Sequence, residues 1–295
     1  MTELQSAPKR NFISKIFISS DEPRLRAGWR FLLQTLLLIL IAIPTSLLAQ
    51  YIPPIGDGLF TSQIVELIVL TSSIYIARRF LDKRTFVSLG LQVNRQAFAD
   101  IFMGIAITFI MMGLIYLTEV TAGWLTFESF AWQTESVSNV ITAVMSFWVI
   151  FIFVGYNEEL LSRGYHLQTF ASGINMFWAV LISSSIFGIA HLGNPNATWI
   201  SAAGIFFAGV FLAYAYIRTG QLWLSIGLHI GWNFFEGVVF GFPVSGLDIY
   251  RLIRHNVQGP EIWTGGAFGP EAGLIVLPML LIGSALIYLY TRPRS

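Results

Sequence analysis

The stretch FIFVGYNEELLSRGYH, residues 151–166, places two adjacent carboxylates, Glu158 and Glu159, at the end of an apolar run. Hydrocarbon solvates charge poorly, so a carboxylate placed there needs a cation, a proton or a set of donors. Two further apolar stretches carry one histidine each. SSSIFGIAH (183–191) ends at His191, and SIGLHIGWN (225–233) holds His229 and Asn233. Three apolar segments that each supply a titratable or coordinating group predict one polar site inside a membrane domain.

Composition points the same way. Of 295 residues, 55% are hydrophobic and 11% charged, against about 25% charged in an ordinary soluble chain. The nine Trp are suited to anchoring at a bilayer surface. Net charge is +1, with no basic tract or stacking module, so no nucleic-acid partner is expected. The absence of cysteine excludes disulfides, thiolate metal sites, a cysteine nucleophile and iron–sulfur clusters. Site chemistry is left to His, carboxylate and amide. The polar stretch Met1 to Arg30 is too long for a signal peptide, so the first apolar run is expected to stay as a helix.

A spanning helix needs about 20 mostly apolar residues. Eight such runs are legible, at 29–50, 61–80, 98–118, 138–160, 175–191, 198–217, 221–241 and 271–290. The expected fold is an all-α polytopic membrane protein. A head, 1–28, precedes one transmembrane domain, 29–295, whose motif-bearing core is 138–241. Lys and Arg gather in the head, in the loop from Arg78 to Arg95, at Arg163 and Arg218, and at Arg292 and Arg294. Asp57, Glu119, Glu128 and Glu135 mark the other side, where only Arg251 and Arg254 oppose the trend. The bias predicts a plasma-membrane protein with both termini cytosolic.

Depth and spacing bring the polar residues together. Glu158 and His191 each lie about 23 Å from the turn near Ala171–Asn175, at 1.5 Å per residue. His229 and Asn233 lie about 12 and 18 Å from the turn at Arg218–Gln221. The site is expected inside the membrane, open toward the cytosolic half. Glu159 and Arg163, four apart, share a helix face and are expected to pair. Glu158 points about 100° away and is left free to act as a base. Phe187 lies one turn before His191. His229, Asn233 and Glu236 share one face of their helix.

These segments carry EELLSR (158–163, pattern EExxxR), FGIAH (187–191, FxxxH) and HIGWN (229–233, HxxxN) in that order. The sequence resembles the CAAX-protease and bacteriocin-processing family of intramembrane proteases, also called Abi. The motif region covers residues 155–240; the first four runs match only in hydropathy. The resemblance implies an eight-helix fold with a conical cavity open to the cytosol. It implies that Glu158 activates water, that Glu159 supports it held by Arg163, and that His191 shares the water or binds a metal. His229 and Asn233 would bind metal or stabilise an oxyanion. The activity implied is hydrolysis of a peptide bond near the C-terminus of a lipidated protein or small membrane-associated peptide.

Two versions of the chemistry stay open. In one, Zn²⁺ is held by Glu158, His191 and His229 and lowers the pKa of water. In the other, Asn233 and protonated His229 donate to the oxyanion while Glu158 and His191 polarise water. HExxH is absent, and Asn is an uncommon zinc ligand. Ser162 has no base at suitable spacing and GxSxG is missing, which argues against a serine hydrolase.

Blander readings compete at each position. The Glu pair fits the solvated end of a helix, His191 an interfacial cap, and His229–Asn233 hydrogen-bonding glue between helices. His166 is expected to be solvated, His255 lies in the long loop 242–270, and Glu66 is a lone charge within the second run. Two other functions are compatible with buried Glu and His: a proton-coupled transporter, against which the lack of inverted repeats counts, and a catalytically silent membrane partner or immunity protein.

Overall fold

Each of the eight apolar runs forms a helix within a few residues of its expected bounds. The computed structural model describes residues 12–20, 22–51 and 58–292. Residues 1–11 and 21 of the head expected over 1–28, Lys9 and Arg10 among them, lie outside these residues, as do Asp57 and Arg294. The helices are α1 (Phe12–Phe17), α2 (Ala27–Ala49), α3 (Leu59–Ile76, extended by a π turn to Leu81) and α4 (Arg95–Thr121). Next come α5 (Val137–Glu159), α6 (Leu167–Ala171), α7 (Met176–Ala190), α8 (Trp199–Thr219), α9 (Trp223–Asn233), α10 (Glu261–Thr264) and α11 (Val276–Thr291). A π segment, Leu160–His166, joins α5 to α6, and another, Phe234–Val239, prolongs α9.

Local chemistry sets several boundaries. Asn94, Ser136 and Asn175 accept from the backbone N–H three residues on and cap α4, α5 and α7. Gly220, in the left-handed region, ends α8. At the start of α2, Arg30 and Arg78 both pair with the buried Asp82, and Arg30 also donates to Ser172. One ion cluster therefore ties α2, α3 and the α6–α7 turn together.

The protein is a multi-pass membrane protein: six helical stretches among the described residues are long and apolar enough to cross a bilayer. Their outer faces expose Leu32, Leu36, Leu40, Phe98, Phe102 and Phe177. α9 and α11 are shorter. In α9 every residue from Leu224 to Asn233 is buried, because small residues let α4 close on it. A Cβ on Gly104 would stand 2.4 Å from the Leu228 nitrogen, and one on Gly227 would stand 2.3 Å from the Ile101 oxygen. A helix walled in by protein has no lipid thickness to match.

The all-α expectation needs one correction. β1 (Leu125–Phe130) and β2 (Ile253–Val257) form a two-stranded antiparallel sheet, with a register shift between Phe127 and Ser129. These short polar-flanked segments lie in loops, where hydropathy carries no strand signal. The 242–270 loop is thus structured, with β2, α10 and a 3₁₀ turn. It also explains Arg251 and Arg254: Arg251 pairs with Asp248 and Arg254 with Glu135, so both are neutralised locally. Glu119, expected as a marker of the outer surface, is buried in the last turns of α4.

Candidate active site

Glu158 and Glu159 sit where α5 gives way to the π segment, and Asn233 sits where α9 does the same. π turns widen a helix locally and re-aim side chains, and they are frequent at functional sites. α5 and α9 meet closely at Gly155, where a Cβ would stand 2.7 Å from the Ile230 side chain. That contact brings together residues 70 positions apart: Glu159 Oε1 lies 2.9 Å from His229 Nδ1.

Glu159 is fully buried and accepts from Arg163 Nη1 at 2.6 Å as well as from His229 Nδ1–H. The expected Glu159–Arg163 pair is present, and it has the further task of orienting His229. Arg163 Nη2 donates to the Gly209 carbonyl at 3.0 Å, and its guanidinium lies 4.4 Å from the centre of the Phe187 ring. The same ring stands 4.7 Å from that of His191 and 6.2 Å from that of His229. The Phe of FxxxH is thus the packing centre of three polar side chains, not a neighbour of one.

Both imidazoles are fixed at Nδ1. His191 Nδ1–H donates to the Phe187 carbonyl at 2.8 Å, and His229 Nδ1–H to Glu159. This leaves both Nε2 atoms turned to Glu158, whose Oε2 lies 3.7 Å from His191 Nε2 and 3.8 Å from His229 Nε2. Oε2 is buried and has no hydrogen-bond partner among the described residues. Polar atoms at this separation are spaced for a bridging water. Asn233, one turn beyond His229, lines the same cavity.

The three donors do not close on a metal as they stand. Among the described residues no set of three His, Asp or Glu side chains is placed to hold one. A tetrahedral zinc shell with bonds of 2.0–2.1 Å has edges of about 3.4 Å, shorter than the spacings observed here.

These groups open into a cavity of about 390 Å³. Its walls are mostly apolar, with Phe151, Phe187, Phe211, Leu212 and Trp232 among them. The lining runs from mid-depth, at Leu70, His166 and Leu212, to Asn194 and Val244–Ile249 in loops at the end of the bundle away from the basic turns. None of the lining residues comes from the basic loops at 78–95 and 218–222. Leu59, Asn194 and Ser245 are among the lining residues at that end.

Other expectations divide. Glu66 lines the cavity. Glu236 is buried one turn beyond Asn233 and is not part of the lining. His166 is not solvated: it is buried on the cavity wall, 5.0 Å from the Phe31 ring, because the α5–α6 extension packs against α2. His255 is buried in β2 and lies 2.8 Å from the Phe240 carbonyl, to which Nε2–H donates. Burial lowers its pKa to about 4.

Sequence reasoning missed Glu271. It lines the cavity while 5% exposed, and accepts from Trp232 Nε1 at 3.0 Å and from Ser245 N and Oγ at 2.8 and 2.6 Å. As the first residue of an apolar run it carries the signal of a helix boundary, and only the fold of 242–270 turns it inward.

A family model described as type II CAAX prenyl endopeptidase Rce1-like matches residues 139–235, the stretch that holds all three motifs. Over this stretch the chain is similar to that family model, in line with the resemblance to the CAAX-protease and bacteriocin-processing family. The chain is also 26% identical over 251 residues to "Uncharacterized protein YyaK" of Bacillus subtilis (strain 168), covering 82% of this chain and 78% of that one. It is 28% identical to "Putative membrane peptidase YdiL" of the same organism, over 46% of this chain and 52% of that protein. A third relative, "Uncharacterized 24.3 kDa protein" of Escherichia coli, is 30% identical over 42% of this chain and 57% of its own length. No solved structure matches the chain.

Proposed function

We propose that this protein is an intramembrane endopeptidase of the CAAX-protease type, cutting a peptide bond in a lipidated or small membrane-associated peptide. The observation that carries this is Glu158 Oε2 poised between His191 Nε2 and His229 Nε2 at 3.7 and 3.8 Å. The similarity of residues 139–235 to the CAAX prenyl endopeptidase family model supports peptidase chemistry.

The roles in this reading are assigned on the distances above. Glu158 takes a proton from a water shared with His191 as the water attacks the scissile carbonyl. His229 Nε2–H and the Asn233 amide donate to the developing oxyanion. Glu159 holds His229 by Nδ1 and stabilises its charged form, while Arg163 and Phe187 hold Glu159 and the rings in place. Glu158 then passes its proton to the leaving amine. The alternative is a zinc ion drawn in by Glu158, His191 and His229 after small side-chain shifts; it would supply Lewis acidity to the same water. The protein would cross a plasma membrane eight times with both termini cytosolic, as the basic loops favour.

Cleavage of a quenched-fluorescence peptide library by purified protein in lipid tests this. Glu158→Gln should lower the rate by about 10²–10⁴-fold or more, the range for loss of a general base. Activity equal in wild type and variant would refute the assignment. A chelator that stops wild-type cleavage would favour the zinc version; one without effect would favour the metal-free version.

A further inference from the structure

Away from the active site, charge is most unbalanced where α1, the start of α2 and the π turn after α3 meet. Residues 15–30 and 77–84 hold eight Lys or Arg against three Asp or Glu. Three guanidiniums converge on one carboxylate. Arg30 and Arg78 pair with Asp82 through Nη1, and Arg24 Nη1 stands 3.8 Å from Asp82 Oδ1. All four side chains are buried. Arg24 and Arg84 also share Glu22. Two acids thus face four arginines, and the buried part of the surplus is screened less than charge in open water. Around this core Lys15, Arg26, Arg79 and Lys83 are exposed and have no ion-pair partner among the described residues.

Backbone contacts hold these cations at the edge of the lipid-facing surface. The chain after α1 turns back through an Ile18–Leu25 bridge, and Arg26 N–H donates to the Phe17 carbonyl at 2.9 Å. Lys83 Nζ donates to the Pro23 carbonyl at 2.8 Å, which sets residues 83–84 beside the same turn. Trp29 Nε1–H donates to the Ile16 carbonyl at 3.2 Å, and its ring stacks on that of Phe17 at 5.0 Å. Trp29, Leu32 and Leu36 share one face of α2, and all three are exposed. Trp29 is the end of the stripe that α2 turns to lipid. α1 continues that stripe with Phe12, Ile16 and Phe17, also exposed. An apolar surface bordered by unpaired cations matches the boundary between acyl chains and anionic headgroups.

We propose that this corner is a binding site for anionic phospholipid. α1 lies in the headgroup plane with Phe12, Ile16 and Phe17 turned to the acyl chains, and Arg26, Arg79 and Lys83 engage headgroup phosphate. The site does more than anchor the chain. Arg30 donates to Ser172 in the α6–α7 turn, Tyr165 Oη–H donates to the Arg30 carbonyl at 3.5 Å, and Arg78 Nη2–H donates to Gln168 Oε1 at 3.5 Å. Tyr165 belongs to the π segment that follows Glu158 and Glu159. Bound lipid therefore braces the end of the helix that carries the candidate active site. This site does not depend on the peptidase reading.

The test uses the full-length protein in a non-ionic detergent, titrated with phosphatidylglycerol, phosphatidylcholine or inorganic phosphate while the thermal midpoint is followed. Phosphatidylglycerol should raise the midpoint saturably, as a ligand of the folded state does. Added salt should weaken the gain, and the other two additives should give little. In Arg26→Gln/Arg79→Gln/Lys83→Gln the apparent affinity for phosphatidylglycerol should fall about 10²-fold, roughly fivefold for each cation. Arg251→Gln, in the 242–270 loop, should bind the lipid as wild type does. A second readout follows α1 on a background with every cation intact. The chain has no cysteine, so Phe12→Cys takes a single environment-sensitive dye. Its emission should shift to the blue when phosphatidylcholine nanodiscs are replaced by nanodiscs containing phosphatidylglycerol. Equal gains from the two lipids would overturn the proposal, as would an unchanged affinity in the triple variant or a dye that phosphatidylglycerol does not move. An equal gain from inorganic phosphate would make this a site for a soluble anion and overturn the lipid assignment.

Discussion

Glu159→Gln isolates the charge of the carboxylate that organises the site. Both of its donors, Arg163 Nη1–H and His229 Nδ1–H, bond to the same atom, Oε1, at 2.6 and 2.9 Å. Oε2 has no partner among the described residues. Glutamine keeps the shape, and its carbonyl oxygen serves both donors where Oε1 stood. What disappears is the negative charge opposite a guanidinium that is 2% exposed. Stranding one member of a buried ion pair costs about 3–5 kcal/mol. For a chain of this size 1 kcal/mol moves the midpoint by about 2–4 °C, so a fall of roughly 6–20 °C is expected. Removing the stranded cation as well, in Glu159→Gln/Arg163→Leu, should restore part of the loss. The coupling in the double-mutant cycle should exceed about 1.5 kcal/mol. Activity should drop about 10–100-fold even though both hydrogen bonds persist, because His229 loses the charge behind it. The assay is tryptophan-monitored thermal unfolding in one detergent, with cleavage measured on the same samples. A single variant within about 1 kcal/mol of wild type, or an additive double, would refute the account of a paired, buried carboxylate.

Three other outcomes are expected. Phe187→Leu removes the ring shared by Arg163 and His191; it should cost about 1–2 kcal/mol and lower kcat without removing any ionisable group, as steady-state kinetics beside a melt would show. Gly104→Ala drives a methyl against the Leu228 backbone and should destabilise by about 1–3 kcal/mol or more, whereas Gly113→Ala, whose new Cβ would meet only a Phe240 ring atom at 3.6 Å, should be neutral or mildly stabilising; equal melting points for the two would contradict the close α4–α9 contact. His255, with its pKa lowered from 6.5 to about 4 by burial, binds fewer protons folded than unfolded. Its contribution to stability is therefore complete above pH 6.5, declines as the pH falls and levels off near pH 4. His255→Gln should flatten that slope, and an unchanged pH profile of the melting point would argue against it.

The helices were legible because hydrocarbon imposes a coarse constraint, a run of about 20 apolar residues, that any spanning segment must meet. α9 shows where that signal misleads. Its apolar run reads like the others, yet it is enclosed by protein, and the difference lies in Gly104, Gly227 and Gly231, which permit backbone contact with α4. Hydropathy does not distinguish a lipid-facing leucine from one against a neighbouring helix. The strands were invisible for the converse reason. Leu125–Phe130 and Ile253–Val257 are too short and too mixed for periodicity to register, and each is a strand only because the other lies beside it.

Within the site, contacts along one helix could be read and contacts between helices could not. Glu159–Arg163 and Phe187–His191 are four residues apart, so helical spacing predicts them. Glu159–His229 spans 70 residues and depends on how closely α5 approaches α9 at Gly155, which no spacing rule supplies. The same gap hid Glu271. Its partners Trp232 and Ser245 lie 39 and 26 positions away, and its place in the cavity depends on the turns between β2 and α11. This asymmetry has a chemical counterpart. The groups predicted from helix faces, Glu158, His191, His229 and Asn233, are suited to attack on a carbonyl. Glu271, positioned by the loop, lines the same cavity and is held by Trp232 and Ser245. Loop residues beyond the motifs, Asn194, Ser245 and Glu271 among them, therefore shape the cavity wall, and two chains that share EExxxR, FxxxH and HxxxN need not share that wall.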